Sequence, residues 1–438
     1  MNNYKKVPYF EEPKINFFLY PPMNSCIYEN VSMEDKLDLN SRMDIGSKFT
    51  IYISVPYCRK RCNSCTCFRG LLPERSDINQ FIDEYVETLI MQMRAYAQTV
   101  RFSNATCFAI YIGGGTGSVL NSKQIGRLLN EIRELFNLCN DVEITLEGNP
   151  IDFKKEYLID IKKHGVTRIS VGYQSGQDDV LQALNTSHCA SVGKQALHEV
   201  METGFSNVNI DLLYNVPGQT FEAWEQDVNE IVEVYKPQSI SVGDYMVYKG
   251  SRAEKLINEG VLPKQKSINE ANKWYIWTCK RLEEAGYKEH VRGIFAKKGY
   301  EQKYVVNSCC EGGEILGLGA GAFSYVDGYQ YRNVFQSEVY KKTIMQKKFF
   351  LADQVSVKAS LLNKMQRFVI HSLYAEEISF KKFYERFSVE LFEVFGEIIN
   401  RLEENGIVSI TESCVRLTEL GKKWRKSVYY EFYGDEYK

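Results

Sequence analysis

The 438-residue sequence has no apolar run approaching the ~20 residues of a membrane-spanning helix. Its opening stretch, MNNYKKVPYFEEPK, is charged and lacks an apolar signal core, so a cytoplasmic protein is expected. It lacks an excess of either charge: a formal net charge of -2 removes bulk attraction to nucleic acid or anionic lipid. A second C-x2-C or H-x3-H pair, which a structural zinc site usually needs, is absent. Disulfides fit poorly too, because thiols crowded on one loop rarely reach each other's bonding geometry. What is present is ordinary globular composition, 44% hydrophobic and 25% charged, in a chain long enough for a barrel and a smaller domain.

The stretch from Ile51 to Phe68, IYISVPYCRKRCNSCTCF, organises the rest. Cys58, Cys62 and Cys65 stand at C-x3-C-x2-C spacing, with Cys67 just beyond. Three thiolates can hold three irons of a [4Fe-4S] cluster, which normally takes four cysteine ligands. The fourth iron is then open to bind and polarise a small molecule, which suits chemistry better than simple electron transfer. Arg59, Lys60 and Arg61 add positive charge that favours thiolates. The run Thr50 to Val55 reads as a strand feeding the loop. Among the remaining cysteines, Cys107 and Cys139 read as inert core thiols. The adjacent pair Cys309 and Cys310 stands before a glycine-rich stretch, and either packing or a redox or ligand role suits it. An oxygen-sensitive cluster requires a reducing compartment.

Further along, strand and helix patterns alternate. Asp77 to Arg101 has helical spacing, with Phe81, Tyr85, Leu89 and Met93 on one face. CFAIYIGGGTGSVL is a strand running into Gly113, Gly114 and Gly115, where a bare backbone can approach a ligand. A helix over Ser122 to Leu138 leads to DVEITLEGNP, whose apolar strand closes on Glu147. A fourth strand runs from Arg168 to Gly172 with Gln174 just past it, VNIDLLYNV holds Asp211 inside a fifth, and SISVGDYM, residues 239–246, is a sixth. A buried aspartate needs a partner or a purpose. Six such units argue an α/β fold with a partial parallel (β/α)6 barrel and function at the C-terminal strand ends. Residues 1–49 read as an irregular arm covering the barrel mouth, 50–265 as the barrel, and 266–355 as an extension carrying the block EILGLGAGAFSYVDGYQYRN. Residues 356–438 read as a smaller winged-helix-like α+β domain without a strongly basic recognition helix, which argues against nucleic-acid binding.

YISVPYC followed by C-x2-C-x-C resembles the radical S-adenosylmethionine (radical SAM) enzymes, and within them the oxygen-independent coproporphyrinogen III oxidase-like family. EITLEGNP is similar to that family's E-I-T-x-E-x-N-P, NVPGQT to its G-L-P-G-Q-T, and GLGAGAFS to its G-L-G-A-G-A-x-S. The resemblance spans about residues 50–430. It implies that Cys58, Cys62 and Cys65 hold a [4Fe-4S] cluster, and that Gly113, Gly114, Gly115 and Thr116 meet the amino and carboxylate groups of S-adenosylmethionine. Glu147, Gln174, Asp211, Gly319 and Ala320 are expected at that cofactor as well. An external reductant of the flavodoxin or ferredoxin type would supply one electron, and the resulting 5′-deoxyadenosyl radical would abstract hydrogen from a small-molecule substrate of the tetrapyrrole class.

Several positions depart from the family pattern. The histidine of Y-I-H-I-P-F-C is Ser54, that of G-A-G-A-H-S is Phe323, and the arginine of L-G-R-x-H falls at Asn185 or Thr186 while His188 remains. Classical coproporphyrinogen decarboxylation loses those imidazoles. The heme chaperones of the family carry H-N-x2-Y-W, of which the stretch YEQKYV keeps only Tyr304. Cys67 resembles the oxidase branch instead. The mixture also matches the methyltransferase and cyclopropanase branch, which uses two S-adenosylmethionine molecules. Three readings follow: a radical enzyme on a porphyrin precursor or other small molecule, a heme chaperone, and a radical methyltransferase or cyclopropanase. Cys67 and Tyr52 are the catalytic candidates, with Ser54 and the Gly317 to Ser324 segment also on the substrate side. The 29 Tyr and 24 Phe residues could line a pocket for a flat substrate, although such aromatics more often build cores.

Overall fold

The computed structural model describes residues 19–23, 31–43, 48–63, 65, 70–74, 77–310, 312–375 and 377–437. The six expected strands form as β1 (Lys48–Val55), β2 (Thr106–Gly114), β3 (Asn137–Gly148), β4 (Arg168–Gln174), β5 (Asn207–Tyr214) and β6 (Ser239–Asp244). They are rich in β-branched and aromatic residues, and each pairs parallel with the next, with Ile112 opposite Leu146 and Asp211 opposite Ser241. Parallel neighbours need a crossover between them, so every strand's C-terminal end opens on the same rim.

Two boundaries differ from the sequence reading. The helix expected over Asp77 to Arg101 stops at Ala97, and a separate turn covers Val100–Ser103. The helix expected to reach Leu138 ends at Leu135, because Asn137 and Leu138 already pair with Thr106 and Cys107. Cys139 is therefore a half-buried strand residue, while Cys107 is fully buried.

The 266–355 segment adds strands to both edges of the same sheet: β7 (Lys288–Val291), β8 (Ile294–Ala296), β9 (Glu314–Leu318), β10 (Phe323–Val326), β11 (Tyr329–Asn333) and β12 (Leu351–Val355). Among the described residues the sheet has thirteen strands, ordered Val31–Ser32, β12, β11, β10, β9, β1, β2, β3, β4, β5, β6, β8, β7. Strand β9 runs parallel to β1, with Gly317 opposite Tyr52. The glycine-rich block therefore extends the barrel edge as a further parallel strand before turning back. Of the N-terminal arm, Val31 and Ser32 pair with β12 and Tyr20 is buried in the core of the C-terminal domain; the arm's other residues up to 47 lie largely outside the described set.

The C-terminal domain packs helices Leu361–Tyr374, Phe380–Phe387 and Leu391–Glu404 against a three-stranded sheet of Glu377–Ser379, Cys414–Leu417 and Val408–Ile410. Ser360 opens its first helix with a capping box, accepting from the Asn363 amide while the Asn363 side chain accepts from the Ser360 amide. Among the described residues no helix is long and apolar enough to cross a membrane.

The turn after β9 shows how tightly this edge is built. Gly319 has φ +95°, and a Cβ there would sit 2.5 Å from the Ser54 carbonyl oxygen and 2.6 Å from the Tyr85 hydroxyl. Gly286, just past the helix Ile268–Glu284, has φ +84° and open space around it. Gly286→Ala should then lose about 1 kcal/mol from backbone strain alone, whereas Gly319→Ala should lose at least about 2 kcal/mol more through overpacking. Paired chemical denaturation of the two variants checks the difference.

Candidate functional site

The cysteine loop leaves β1 at Val55 and is clamped by backbone of the helix Asp178–Leu184. The Asn63 amide donates to Leu184 O at 2.9 Å, its side chain donates to Ala183 O at 2.8 Å, and Lys60 Nζ donates to Thr186 O at 3.0 Å. The Asn185 side chain donates back to Arg61 O at 2.8 Å. Asn185, where the family pattern commonly has arginine, thus works as a helix C-cap in the left-handed region and as a loop clamp. Arg59 pairs with Asp152 at 2.8 Å, so its charge is committed there and not to the thiols.

Cys58 is buried beside the glycine triplet. Thr116 Oγ1 donates toward its Sγ at 3.4 Å, and a Cβ on Gly115 would meet that sulfur at 3.0 Å. Burial pushes the Cys62 thiol up to about 11; the neighbouring Cys65 adds to this and Lys60 opposes it. Among the described residues no three Cys, His, Asp or Glu side chains converge closely enough to hold a metal ion. Cys67 lies outside the described residues, and so do the side chains of Cys309 and Cys310.

The barrel's inner face carries the acidic candidates. Tyr111 donates to Glu147 Oε2 at 3.0 Å, and bare Gly113 permits the contact because a Cβ there would lie 2.6 Å from the same oxygen. Burial, then repulsion from Asp211, raises the Glu147 carboxyl from its ordinary 4.5 to about 7. Asp211 is likewise raised by burial, although Ser170 at 3.2 Å and Asn209 at 2.7 Å donate to it. Gln174 ends β4 with φ +68° after a bulge, which turns it out of the regular pleat. Beneath it His188 is buried, kept neutral by burial, and within 3.1 Å of the Tyr173 carbonyl oxygen.

Tyr52 stacks on Tyr111, with centroids 5.9 Å apart and 16° between planes, and Tyr304 meets both rings at 6.1 and 5.3 Å. The segment carrying Tyr304 is tied to the barrel wall, its Lys303 amide donating to Glu143 Oε1 at 3.1 Å. Ser54, Gly319 and Ala320 form a separate knot. Ser54 Oγ donates to Ala320 O at 2.9 Å, the Ala320 amide donates to the Tyr85 hydroxyl at 2.9 Å, and the Gly319 amide donates to Gln92 at 3.0 Å. The structure thus brings Tyr52 to Glu147 through Tyr111, but spends the polar groups of Ser54, Gly319 and Ala320 on one another and on the helix Ile78–Ala97.

Sequence reasoning missed Tyr111 and Arg168. Tyr111 stands two residues before Gly113, so strand alternation puts both on one face. Arg168 opens an apolar strand and is 1% exposed, with Nη2 donating to Ser239 at 3.1 Å. Asn63 had no signal, since a loop asparagine inside a cysteine motif looks like a spacer.

A radical SAM superfamily model matches residues 52–231, and a HemN C-terminal domain model matches residues 360–424. The chain thus carries a radical SAM domain followed by a HemN C-terminal domain, the combination seen in coproporphyrinogen III oxidase-like proteins. It is 28% identical over 386 residues to the heme chaperone HemW of Bacillus subtilis (strain 168), covering 88% of this chain and 99% of that protein. To the oxygen-independent coproporphyrinogen III oxidase of Salmonella typhimurium it is 25% identical over 391 residues, covering 85% and 82%. The solved structure of coproporphyrinogen III oxidase (HemN) from Escherichia coli shares its fold, with TM-score 0.75 and 22% identity, covering 88% of this chain and 90% of that one.

A [4Fe-4S] cluster and S-adenosylmethionine go with a radical SAM domain. The residues suit such a group: the half-buried Cys62 thiol, held protonated with Cys65 beside it, is what metal coordination deprotonates, and the Gly115 backbone leaves room against Cys58 that no side chain could.

The raised Glu147 carboxyl has a thermodynamic consequence. Between its ordinary 4.5 and about 7 the folded ligand-free protein keeps a proton that the unfolded chain has lost, so this group's contribution to stability falls as pH rises through that window. Glu147→Gln removes the dependence. Thermal unfolding at pH 5.5 and 7.5 should show the variant gaining on wild type at the higher pH; an unchanged gap would mean that Glu147 titrates normally.

Proposed function

We propose that this chain is a radical SAM enzyme that abstracts hydrogen from a tetrapyrrole precursor or another small molecule. When bound, the cluster and S-adenosylmethionine supply the electron and the carbon radical for that step. Cys58, Cys62 and Cys65 would hold the cluster, leaving one iron for the methionyl end of the cosubstrate. Thr116 and the Gly113 to Gly115 backbone would receive that end beside Cys58. Glu147, Gln174 and Asp211, on three successive parallel strands, would accept hydrogen bonds from the ribose and amino groups. Tyr52 and Tyr111 orient and enclose, the former as catalytic candidate, and their stacked rings keep water from the Glu147 side of the barrel. An external flavodoxin- or ferredoxin-type protein is the reductant in this reading.

The observation that supports it most is the adjacency of Cys58 to Gly115 and Thr116 together with that of Gly113 to Glu147: one glycine turn touches both the thiol end and the carboxylate end of the site. A second reading, heme handling without turnover, draws on the relatives named heme chaperones and on Tyr304, whose ring completes an aromatic wall with Tyr52 and Tyr111.

The two readings separate in one anaerobic experiment. The protein is reconstituted with iron and sulfide, then given dithionite and S-adenosylmethionine, with 5′-deoxyadenosine and S-adenosylhomocysteine both assayed. Wild type should form 5′-deoxyadenosine, and Cys62→Ala should lose at least about a hundredfold, in line with the loss of a catalytic metal ligand. S-adenosylhomocysteine in addition would indicate methyl transfer. A protein with an intact cluster that cleaves nothing yet binds hemin stoichiometrically would sink the enzyme reading in favour of the chaperone.

Binding also carries a pH signature. Because Glu147 gives up its proton to take hydrogen bonds from the cosubstrate as a carboxylate, affinity for S-adenosylmethionine should rise by about fivefold from pH 6 to 7, nearly double again by pH 8 and then level off. Calorimetric titration across that range, beside Glu147→Gln with its flat and weaker profile, checks this.

A further inference from the structure

Away from the barrel mouth, a cavity of about 530 Å³ lies between the helix Ile268–Glu284, strand β7 and the C-terminal segment from Glu419 to Arg425. Its volume is that of a small-molecule site, well beyond a single ion. Tyr287, Phe295 and Ile276 supply apolar wall, and nothing in the radical chemistry above uses any of it.

The charge around this hollow is unbalanced. Six cations face it, Lys280, Lys288, Arg292, Lys422, Lys423 and Arg425, against Glu283, Glu289 and Glu419. That excess stands in a chain whose net charge is -2. Glu419 is taken by Lys422 at 3.2 Å. Glu289 is buried and takes Arg425 at 2.8 Å, and the same carboxylate accepts from the Tyr275 hydroxyl and from the Gly293 amide at 2.6 Å. Arg292 lies with its guanidinium carbon 3.7 Å over the Tyr275 ring centroid, where its field reaches the Glu289 carboxylate that Arg425 already pairs. Lys280 and Lys288 have no carboxylate within salt-bridge distance among the described residues, and both are exposed on the rim.

Holding like charges together around a hollow costs free energy that an anion in the hollow would offset. Arg292 and Arg425 present planar forks and the lysines flexible point charges, the combination that suits phosphate oxygens. The geometry points to a binding site for a nucleoside diphosphate, its phosphates on Lys280, Lys288 and Arg292 and its organic part against the Tyr287 and Phe295 wall. Such a ligand bridges the barrel sheet and the C-terminal domain, since Lys288 stands on β7 and Lys423 and Arg425 on the terminal segment. Its occupancy therefore stabilises their docking.

The test uses the full chain, with guanosine diphosphate and inorganic pyrophosphate as probes in thermal-shift and calorimetric titrations. Guanosine diphosphate should raise the melting temperature and bind at least about tenfold more tightly to wild type than to Lys280→Glu/Lys288→Glu, as expected for lost charge-assisted hydrogen bonds. Both exchanges are at exposed positions, and Lys280→Gln/Lys288→Gln serves as a milder second variant; both variants should keep wild-type cleavage of S-adenosylmethionine, which separates this site from the barrel chemistry. Weaker binding of pyrophosphate than of the nucleotide supports a role for the apolar wall, whereas equal binding overturns the nucleoside assignment. Absence of binding by both probes, or binding unchanged in both variants, overturns the site.

Discussion

Glu147 and Asp211 are carboxylates in a barrel interior from which bulk water is largely removed, with Arg168 as the cation whose field reaches both. Desolvation raises both groups, and the hydrogen bonds from Tyr111, Ser170 and Asn209 only partly compensate. Much of the site follows from that tension. Gly113 must be bare for Tyr111 to reach Glu147, and the Tyr52 ring must stack on Tyr111 to close the wall. A cationic or hydrogen-bond-donating ligand relieves the same tension, which is why a protonated carboxyl here amounts to a binding site waiting for donors.

The cysteine loop obeys a different constraint. It is short and irregular, so its position depends on borrowed backbone groups at the end of the helix Asp178–Leu184. Those carbonyls are the ones a helix terminus leaves without intrahelical partners. Loop and helix thereby satisfy each other, and Cys62 and Cys65 are carried as a pair on the clamped segment. The Cys62 thiol is costly to ionise as it stands, so metal binding and loop order are coupled through its proton.

The extension and the C-terminal domain bear on the barrel from opposite edges. Strand β9 joins β1 and the turn at Gly319 to Ala320 locks onto Ser54 and Tyr85, while β8 and β7 cap β6 and meet the terminal segment through Glu289 and Arg425. The sheet is thus closed on both sides by one family-specific segment of chain. This explains why the glycine-rich block reads strongly in sequence: its glycines are sites of backbone contact, with no Cβ tolerated at Gly317 within 2.3 Å of the Phe323 carbonyl oxygen.

The barrel was legible from the chain alone because period-two apolar runs, glycine turns and amphipathic helices each encode local geometry, and because parallel pairing then leaves one rim for chemistry. The cysteine spacing, Glu147 at the close of its strand and Asp211 inside an apolar strand were equally readable. What tertiary structure alone decided is which polar groups are spent and which remain. The polar groups of Ser54, Gly319 and Ala320 bond to one another and to Gln92 and Tyr85, Arg59 holds Asp152, and Asn185 in place of an arginine is a loop clamp. Each of those outcomes depends on partners between about 90 and 270 residues away in sequence, and hydrogen-bond satisfaction between distant segments leaves no periodicity for a sequence to display.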